Sequence, residues 1–267
     1  MAGVSHGLPW LSFCQFLETL CSAKRGDKQR LLRDFLASYR RNLATHKQRN
    51  PLAEDSILPV LRLLLPSLDK DRIYGIKEKR LADLYVKVLG ISKTSPDAEV
   101  LTKWKTAGGG LGRDFGEVAY KVLKKRCCDS GGMSLAAIDE ALGRLADHHA
   151  NSSSDGVTST LTQLVLKLSA LEQKWLIRVL IKDLGMGMGA KSVLDAWHPD
   201  AQAFYDVNMS LFKVSTVLLD PSKRLHEASV SLFTPCRPML AERMEMHKLD
   251  SLMQGDVHYK YFINKYC

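Results

Sequence analysis

Apolar residues recur every three to four positions along most of this chain, and that spacing restricts it to packed helices. Trp10, Phe13, Cys14, Leu17, Leu20 and Cys21 follow it, as do Leu31, Leu32, Phe35, Leu36 and Tyr39 behind Asp27, a plausible cap. Asp55 or Ser56 is placed to cap a helix over 57–65, with Pro59 tolerated in its first turn and Pro66 ending it. The stretch 77–89 carries Leu81, Leu84, Tyr85, Val88 and Leu89 on one face, and Gly90 stands where a C-terminal cap glycine belongs. Further helices are predicted over 96–105, 114–126, 134–150, 158–168, 170–184, 191–197, 200–207 and 210–219. The polar run Asn-Ser-Ser-Ser-Asp-Gly at 151–156 reads as a linker between two helical halves. Up to residue 230 there is almost no strand pattern, so the expected fold class is all-α.

The tail departs from this pattern. Residues 256–263, Asp-Val-His-Tyr-Lys-Tyr-Phe-Ile, are β-branched and aromatic and read as a strand with no partner. A chain of 267 residues with 45% hydrophobic and 25% charged content is ordinary for a globular protein with a sizeable core. Its net charge of +9 favours a polyanionic partner without proving one. The six cysteines form no Cys-x-x-Cys pair, and no histidine cluster has zinc spacing, so no metal site is expected. Cys14 and Cys21 read as core thiols. The N-terminus lacks the pattern of a signal peptide, and no apolar run is long enough to span a bilayer, so no membrane association is expected.

Four segments carry the functional reading. The first is Leu-Glu-Gln-Lys-Trp-Leu-Ile-Arg-Val-Leu-Ile-Lys-Asp-Leu-Gly at 171–185, running into Met-Gly-Met-Gly-Ala-Lys at 186–191. Gly185, Gly187 and Gly189 let a backbone approach a phosphate with no Cβ in the way. The helix that follows points its free N–H groups and positive dipole end at the same place. Arg178, Lys182 and Lys191 add charge. Spacing alone fits an ordinary Gly-terminated helix hairpin better than a phosphate site. The second segment is Tyr74-Gly75-Ile76-Lys77-Glu78, with Lys77, Lys79 and Arg80 gathered at a helix start; a solvated face and a phosphate contact explain it equally. The third, Gly-rich 106–116, has neither a Gly-Lys-Ser/Thr end nor a preceding strand, so it is no P-loop or Rossmann loop, and a flexible loop is the better reading. Lys121, Lys124, Lys125 and Arg126 follow it. A basic stripe joining Lys77, Lys125, Lys182 and Lys191 would favour nucleic acid, and an exposed apolar face on 10–21 would favour a protein partner.

The fourth segment is Phe-Thr-Pro-Cys-Arg-Pro-Met-Leu-Ala at 233–241, running directly into Glu-Arg-Met-Glu-Met-His-Lys at 242–248. Both halves, together with Glu172 to Gly185 and Tyr74 to Glu78, resemble eukaryotic ATP-dependent DNA ligases, nearest the DNA ligase IV group. The match over 172–185 turns that segment from a hairpin into a candidate phosphate site, although the family often has a basic or aliphatic residue where this chain has Met186 and Met188. The resemblance implies a multi-helix ligase N-terminal DNA-binding domain over 1–232, its halves joined at 151–156. Residues 233–267 are then a remnant of the adenylation domain with a short β-like end. In the family, the adenylation motif Lys-x-Asp-Gly-x-Arg precedes the Arg-Met-x-Met-His stretch and supplies the nucleophilic lysine. Here Ala241 abuts Glu242, so that lysine is missing; Lys-Leu-Asp-Ser at 248–251 lies on the wrong side of the stretch, with Ser251 for Gly and Met253 for Arg. No catalytic residue is assigned. Arg243 matches a nucleotide-touching arginine that has no pocket here.

The family uses ATP and Mg²⁺; this chain is expected to use neither. The resemblance further implies sequence-independent binding of nicked or broken duplex DNA, double-strand break repair by non-homologous end joining, and a nuclear location. The alternative is a helical scaffold for an end-processing nuclease. The scaffold partner of the family's far C-terminal region is not expected to bind.

Overall fold

A computed structural model describes residues 3–52, 55–107, 114–129, 131–222 and 224. The helices run in the order α1 (Val4–Gly7), α2 (Trp10–Ser22), α3 (Arg25–Arg49), α4 (Leu58–Leu64), α5 (Glu78–Val88), α6 (Pro96–Thr102), α7 (Trp104–Ala107), α8 (Phe115–Leu123) and α9 (Leu135–Ala150). They continue as α10 (Ser154–Lys167), α11 (Ala170–Leu180), α12 (Ala190–Trp197), α13 (Ala201–Asn208) and α14 (Leu211–Val217). Among the described residues there is no strand, only an isolated bridge between Pro9 and Ser134, so the expected all-α class holds. No helix among them is long and apolar enough to cross a membrane. The expected strand at 256–263, Arg243, and the glycines of the 108–112 loop lie outside the described residues.

Side-chain caps explain six of the described helix starts. Ser95, Asp114, Ser134, Ser153, Ser169 and Ser210 each accept a backbone N–H from the first turn of the helix they precede. Gly90, at φ +60°, closes α5, with the Ile91 N–H donating to the Val86 carbonyl at 2.9 Å. Three expectations are corrected. Asp27 lies inside the first turn of α3, where its charge still suits the helix dipole, because the helix begins two residues earlier. Asp55 caps nothing: it accepts the Val4 N–H and pairs with His46, while Ser56 Oγ takes the Leu58 N–H at 3.0 Å. The connection expected over 151–156 is shorter, three residues between α9 and α10. Ser152 turns the chain at φ +55°, Ser153 caps, and α10 has begun by Ser154.

The segments on either side of that turn interleave. α11 packs on α8 and α2, and α12 lies along α3. Trp10, Phe13, Tyr85, Phe115, Trp175, Trp197 and Tyr205 are all buried in one core. α11 runs through its middle, with every residue but Leu171 buried. Trp10, Phe13, Cys14, Leu17 and Leu20 of α2 are wholly buried, so that helix shows no exposed apolar face. Burial raises the thiol pKa of Cys14, as the core reading requires.

Candidate nucleic-acid interface

α11 is hydrophobic by composition yet carries four polar side chains that must be satisfied inside the core. Ser169 and Glu172 form a capping box, and Glu172 Oε2 also accepts the Gly131 N–H at 2.8 Å. Gln173 accepts from the Tyr85 hydroxyl at 2.7 Å and donates to the carbonyl of Val165 at 2.7 Å. Lys174 Nζ bridges Glu18 and Glu117 at 2.8 and 2.7 Å; burial opposes its charge, but the two carboxylates outweigh that and raise its pKa. Arg178 donates to Asp114 through Nε at 2.9 Å and stacks 4.5 Å over the Trp175 ring. The segment that most resembles the ligases is therefore largely a set of internal ties between α11 and its neighbours. Arg178, expected at the DNA, is buried and committed to Asp114.

The helix ends in a Schellman turn with a lysine where glycine is usual. Lys182 has φ +60°, its N–H donates to the Val179 carbonyl at 3.1 Å, and the Asp183 N–H donates to the Arg178 carbonyl at 3.0 Å. The chain then alternates in and out. Leu184 and Met186 are buried and Met188 is half-buried, while Gly185, Gly187 and Gly189 are exposed. Met186 and Met188 thus belong to the core, and the glycines form the surface. Gly185 and Gly187 have φ of +60° and +67°, and a Cβ at Gly185 or Gly189 would meet open space. Gly189 precedes α12 with no side-chain cap, so no side chain of the cap residue takes up the first N–H groups of α12, and Lys191 beside them is exposed. Lys28 of α3 donates to the Met186 carbonyl at 2.7 Å, which puts a second ammonium against Gly187.

A second segment has the same alternation. Arg72, Tyr74 and Ile76 are buried; Ile73, Gly75 and Lys77 are exposed. This strap leads into α5 and is pinned from three sides. Arg72 makes a paired contact with Asp139 of α9 at 2.5 and 3.1 Å, and the Tyr205 hydroxyl donates to the Leu68 carbonyl at 2.6 Å. Lys182 Nζ donates to the carbonyls of Asp69 and Arg72 at 2.7 Å each and lies 5.8 Å from the Tyr74 ring. An open groove of about 410 Å³ separates Pro66 and Ser67 on one side from the glycine turn on the other.

These contacts sort the residues expected at the site. Gly185, Gly187, Gly189 and Lys191 converge on the start of α12. Lys77 and Lys79 are exposed at the start of α5, where Lys77 holds the cap position. Lys182 is corrected: it is half-buried, its ammonium engages two carbonyls, and burial lowers its pKa. The four-lysine stripe is corrected too. α8 runs antiparallel to α11, with Asp114 against Arg178 and Tyr120 against Lys174, so Lys125 lies at the opposite end of that pair from Lys182. Lys28 was missed, because its partner carbonyl is 158 positions away. Exposed Lys70, next to the Asp69 carbonyl that Lys182 holds, was missed as well.

Residues 9–198 match the family described as DNA ligase N terminus. The chain is 36% identical to DNA ligase 4 of Gallus gallus over 260 residues, covering 96% of this chain and 28% of that protein. It is 36% identical to DNA ligase 4 of Homo sapiens over 289 positions, 97% of this chain and 31% of the relative, and 39% identical to DNA ligase 4 of Yarrowia lipolytica over 190 residues, 69% of this chain and 20% of that one. The chain thus spans about a third or less of the length of these relatives. By its all-helical architecture, its α11 segment and these matches, the chain belongs to the DNA ligase N-terminal family.

Proposed function

We propose that this chain grips nicked or broken duplex DNA without sequence preference, as the DNA-binding region of a DNA ligase IV-like protein in double-strand break repair by non-homologous end joining in the nucleus. The observation that carries it is the uncapped start of α12, fronted by three exposed glycines and flanked by Lys28 and Lys191. Backbone N–H groups and lysines there offer contacts to phosphate oxygens, which give affinity without base information. For ~5 phosphate contacts, log affinity falls against log salt with a slope of about −4 to −5. Fluorescence anisotropy with a nicked 20-base-pair duplex reads that slope, and a flat response rules the proposal out.

Ligation chemistry is a separate matter. Adenylation needs an amine held in line with the α-phosphate of ATP. The sequence junction at Ala241 and Glu242 lacks that lysine, and the human alignment spans more positions than this chain has residues, so the relative carries residues without a counterpart here. Incubation with labelled ATP and Mg²⁺ should leave no lysyl-AMP; a label that vanishes in Lys248→Ala would restore an active enzyme.

One observation supports the protein-scaffold alternative. A groove of about 240 Å³ between α1 and α3, lined by Val4, Leu8, Phe35 and Tyr39 among others, offers an apolar slot away from the glycine turn. Titrating a nuclease-derived peptide against the Phe35→Glu variant tests it.

A further inference from the structure

Cys127 and Cys128 are neighbours in sequence, on the connection between α8 and α9. Both are free thiols in different surroundings: Cys127 is half-buried and packs against the core, whereas Cys128 is exposed. The connection leaves α8 by a turn in which the N–H groups of Arg126 and Cys127 both donate to the Leu123 carbonyl, at 2.8 and 3.0 Å. It is tied on either side of the pair. Arg126 is held by Asp97 of α6, and the Gly131 N–H donates to Glu172 Oε2 of α11 at 2.8 Å.

The inner thiol touches the core at a polar point. Burial raises the pKa of the Tyr85 hydroxyl and the Cys127 thiol adds to the rise, so the sulfur lies close to that oxygen. The same hydroxyl donates to Gln173 of α11 at 2.7 Å, which makes Cys127 part of the packing between α5 and α11. Burial also raises the pKa of Cys127 itself, with the Cys128 sulfur adding to it, so the inner thiol is the slower nucleophile. The thiols of α2 offer no such pair: Cys14 is buried, and Cys21 stands about 10 Å further along the same helix.

We propose that Cys127 and Cys128 form an oxidisable dithiol, which a hydroperoxide closes to a vicinal disulfide, drawing Cys127 off Tyr85. The exposed Cys128 sulfur, as its thiolate, attacks the O–O bond; an S–O bond forms, and the departing oxygen takes a proton. The Cys127 sulfur then displaces the oxygen of the sulfenic acid, which leaves as water with the thiol proton. Two thiols become one disulfide, and hydrogen peroxide becomes two waters. Adjacent Cα atoms stand ~3.8 Å apart, less than the usual disulfide span of about 4.4–6.8 Å, so the closed ring is strained and easily reduced again.

The test takes the full chain, reduced and desalted, through brief exposure to hydrogen peroxide, then alkylation and trypsin. Cleavage after Arg126 and Arg144 leaves both cysteines on one peptide, 127–144. That peptide should appear unalkylated and lighter by two hydrogens, and dithiothreitol should return it to the doubly alkylated form. In Cys127→Ser the reaction should stop at the sulfenic acid, so dimedone labels Cys128 there and far less in the parent. The oxidised parent should melt about 2–4 °C below the reduced parent, and Cys128→Ser given the same peroxide should show no such drop. A disulfide found only between two chains, or Cys128 carried to sulfinic acid beside an intact Cys127 thiol, overturns the dithiol. Equal melting of the oxidised and reduced parent, or an equal drop in Cys128→Ser, overturns the link to Tyr85. None of these measurements involves DNA, so they decide the dithiol whether or not the chain binds a duplex.

Discussion

The strap at 72–77 and the turn at 184–189 share one burial rhythm and present opposite surfaces. Both send alternate residues into the core: Arg72, Tyr74 and Ile76 in one, Leu184, Met186 and Met188 in the other. What faces outward differs. The strap shows Ile73, Gly75 and Lys77, hence two side chains; the turn shows three glycines, hence bare backbone and the N–H groups of α12. The contrast separates two uses of glycine. Gly75 is forced by crowding, since a Cβ there would fall 2.1 Å from the His149 ring, whereas Gly185 and Gly189 have open space in front of them. On the strap, glycine serves packing; on the turn, it leaves the backbone bare and, at Gly185 and Gly187, admits a positive φ.

The largest expected effect tests the turn as an anion site. Lys28→Glu combined with Lys191→Glu should weaken duplex binding by ~2–3 kcal/mol, because two attractions become repulsions at the same place. Isothermal titration at low salt reads it, and unchanged binding would move the footprint off α12. Next comes the crowding argument. Gly75→Ala should lose ~2 kcal/mol of stability in urea, part from the left-handed backbone and part from displacing His149. A smaller loss would mean that His149 swings aside freely. Gly185→Ala shares the φ but not the crowding, so ~1 kcal/mol is expected from the same measurement. The smallest stability change belongs to Gly189→Ala, whose φ of −77° suits alanine and which should stay within ~0.5 kcal/mol of the parent. Its DNA affinity should still drop severalfold, because the methyl group occupies the approach. If stability and affinity move together along this series, the distinction between the two glycine uses fails.

Local chemistry was readable from sequence. The Gly90 cap and the apolar faces of α2 and α5 depend on residues within one or two turns of each other, and helix ends fell within a few positions of their places. The fates of long cationic side chains were not readable. Arg178 and Lys182 sit on the segment that most resembles the ligases, yet they end on Asp114 and on the carbonyls of Asp69 and Arg72, 64 and more than 100 positions away. A lysine's spacing along a helix says which side it leaves from, not whether its ammonium reaches solvent or a distant carbonyl. The Met-Gly alternation at 186–189 was visible in sequence as a departure from the family; its period of two is the mark of an in-and-out path, and that path makes the glycines the surface.

The tie made by Lys182 has a consequence for how freely this region can vary. Its acceptors are main-chain carbonyls, and so are those of Lys28 on Met186, Gln29 on Ser192, Arg40 on Trp197 and Tyr205 on Leu68. Every amino acid supplies a carbonyl, so exchanges on the receiving side leave the acceptor in place, while loss of the donor breaks the link outright. Exchanges at outward positions such as Lys70 and Ile73 therefore leave these links in place, while loss of one of the few donors removes a link.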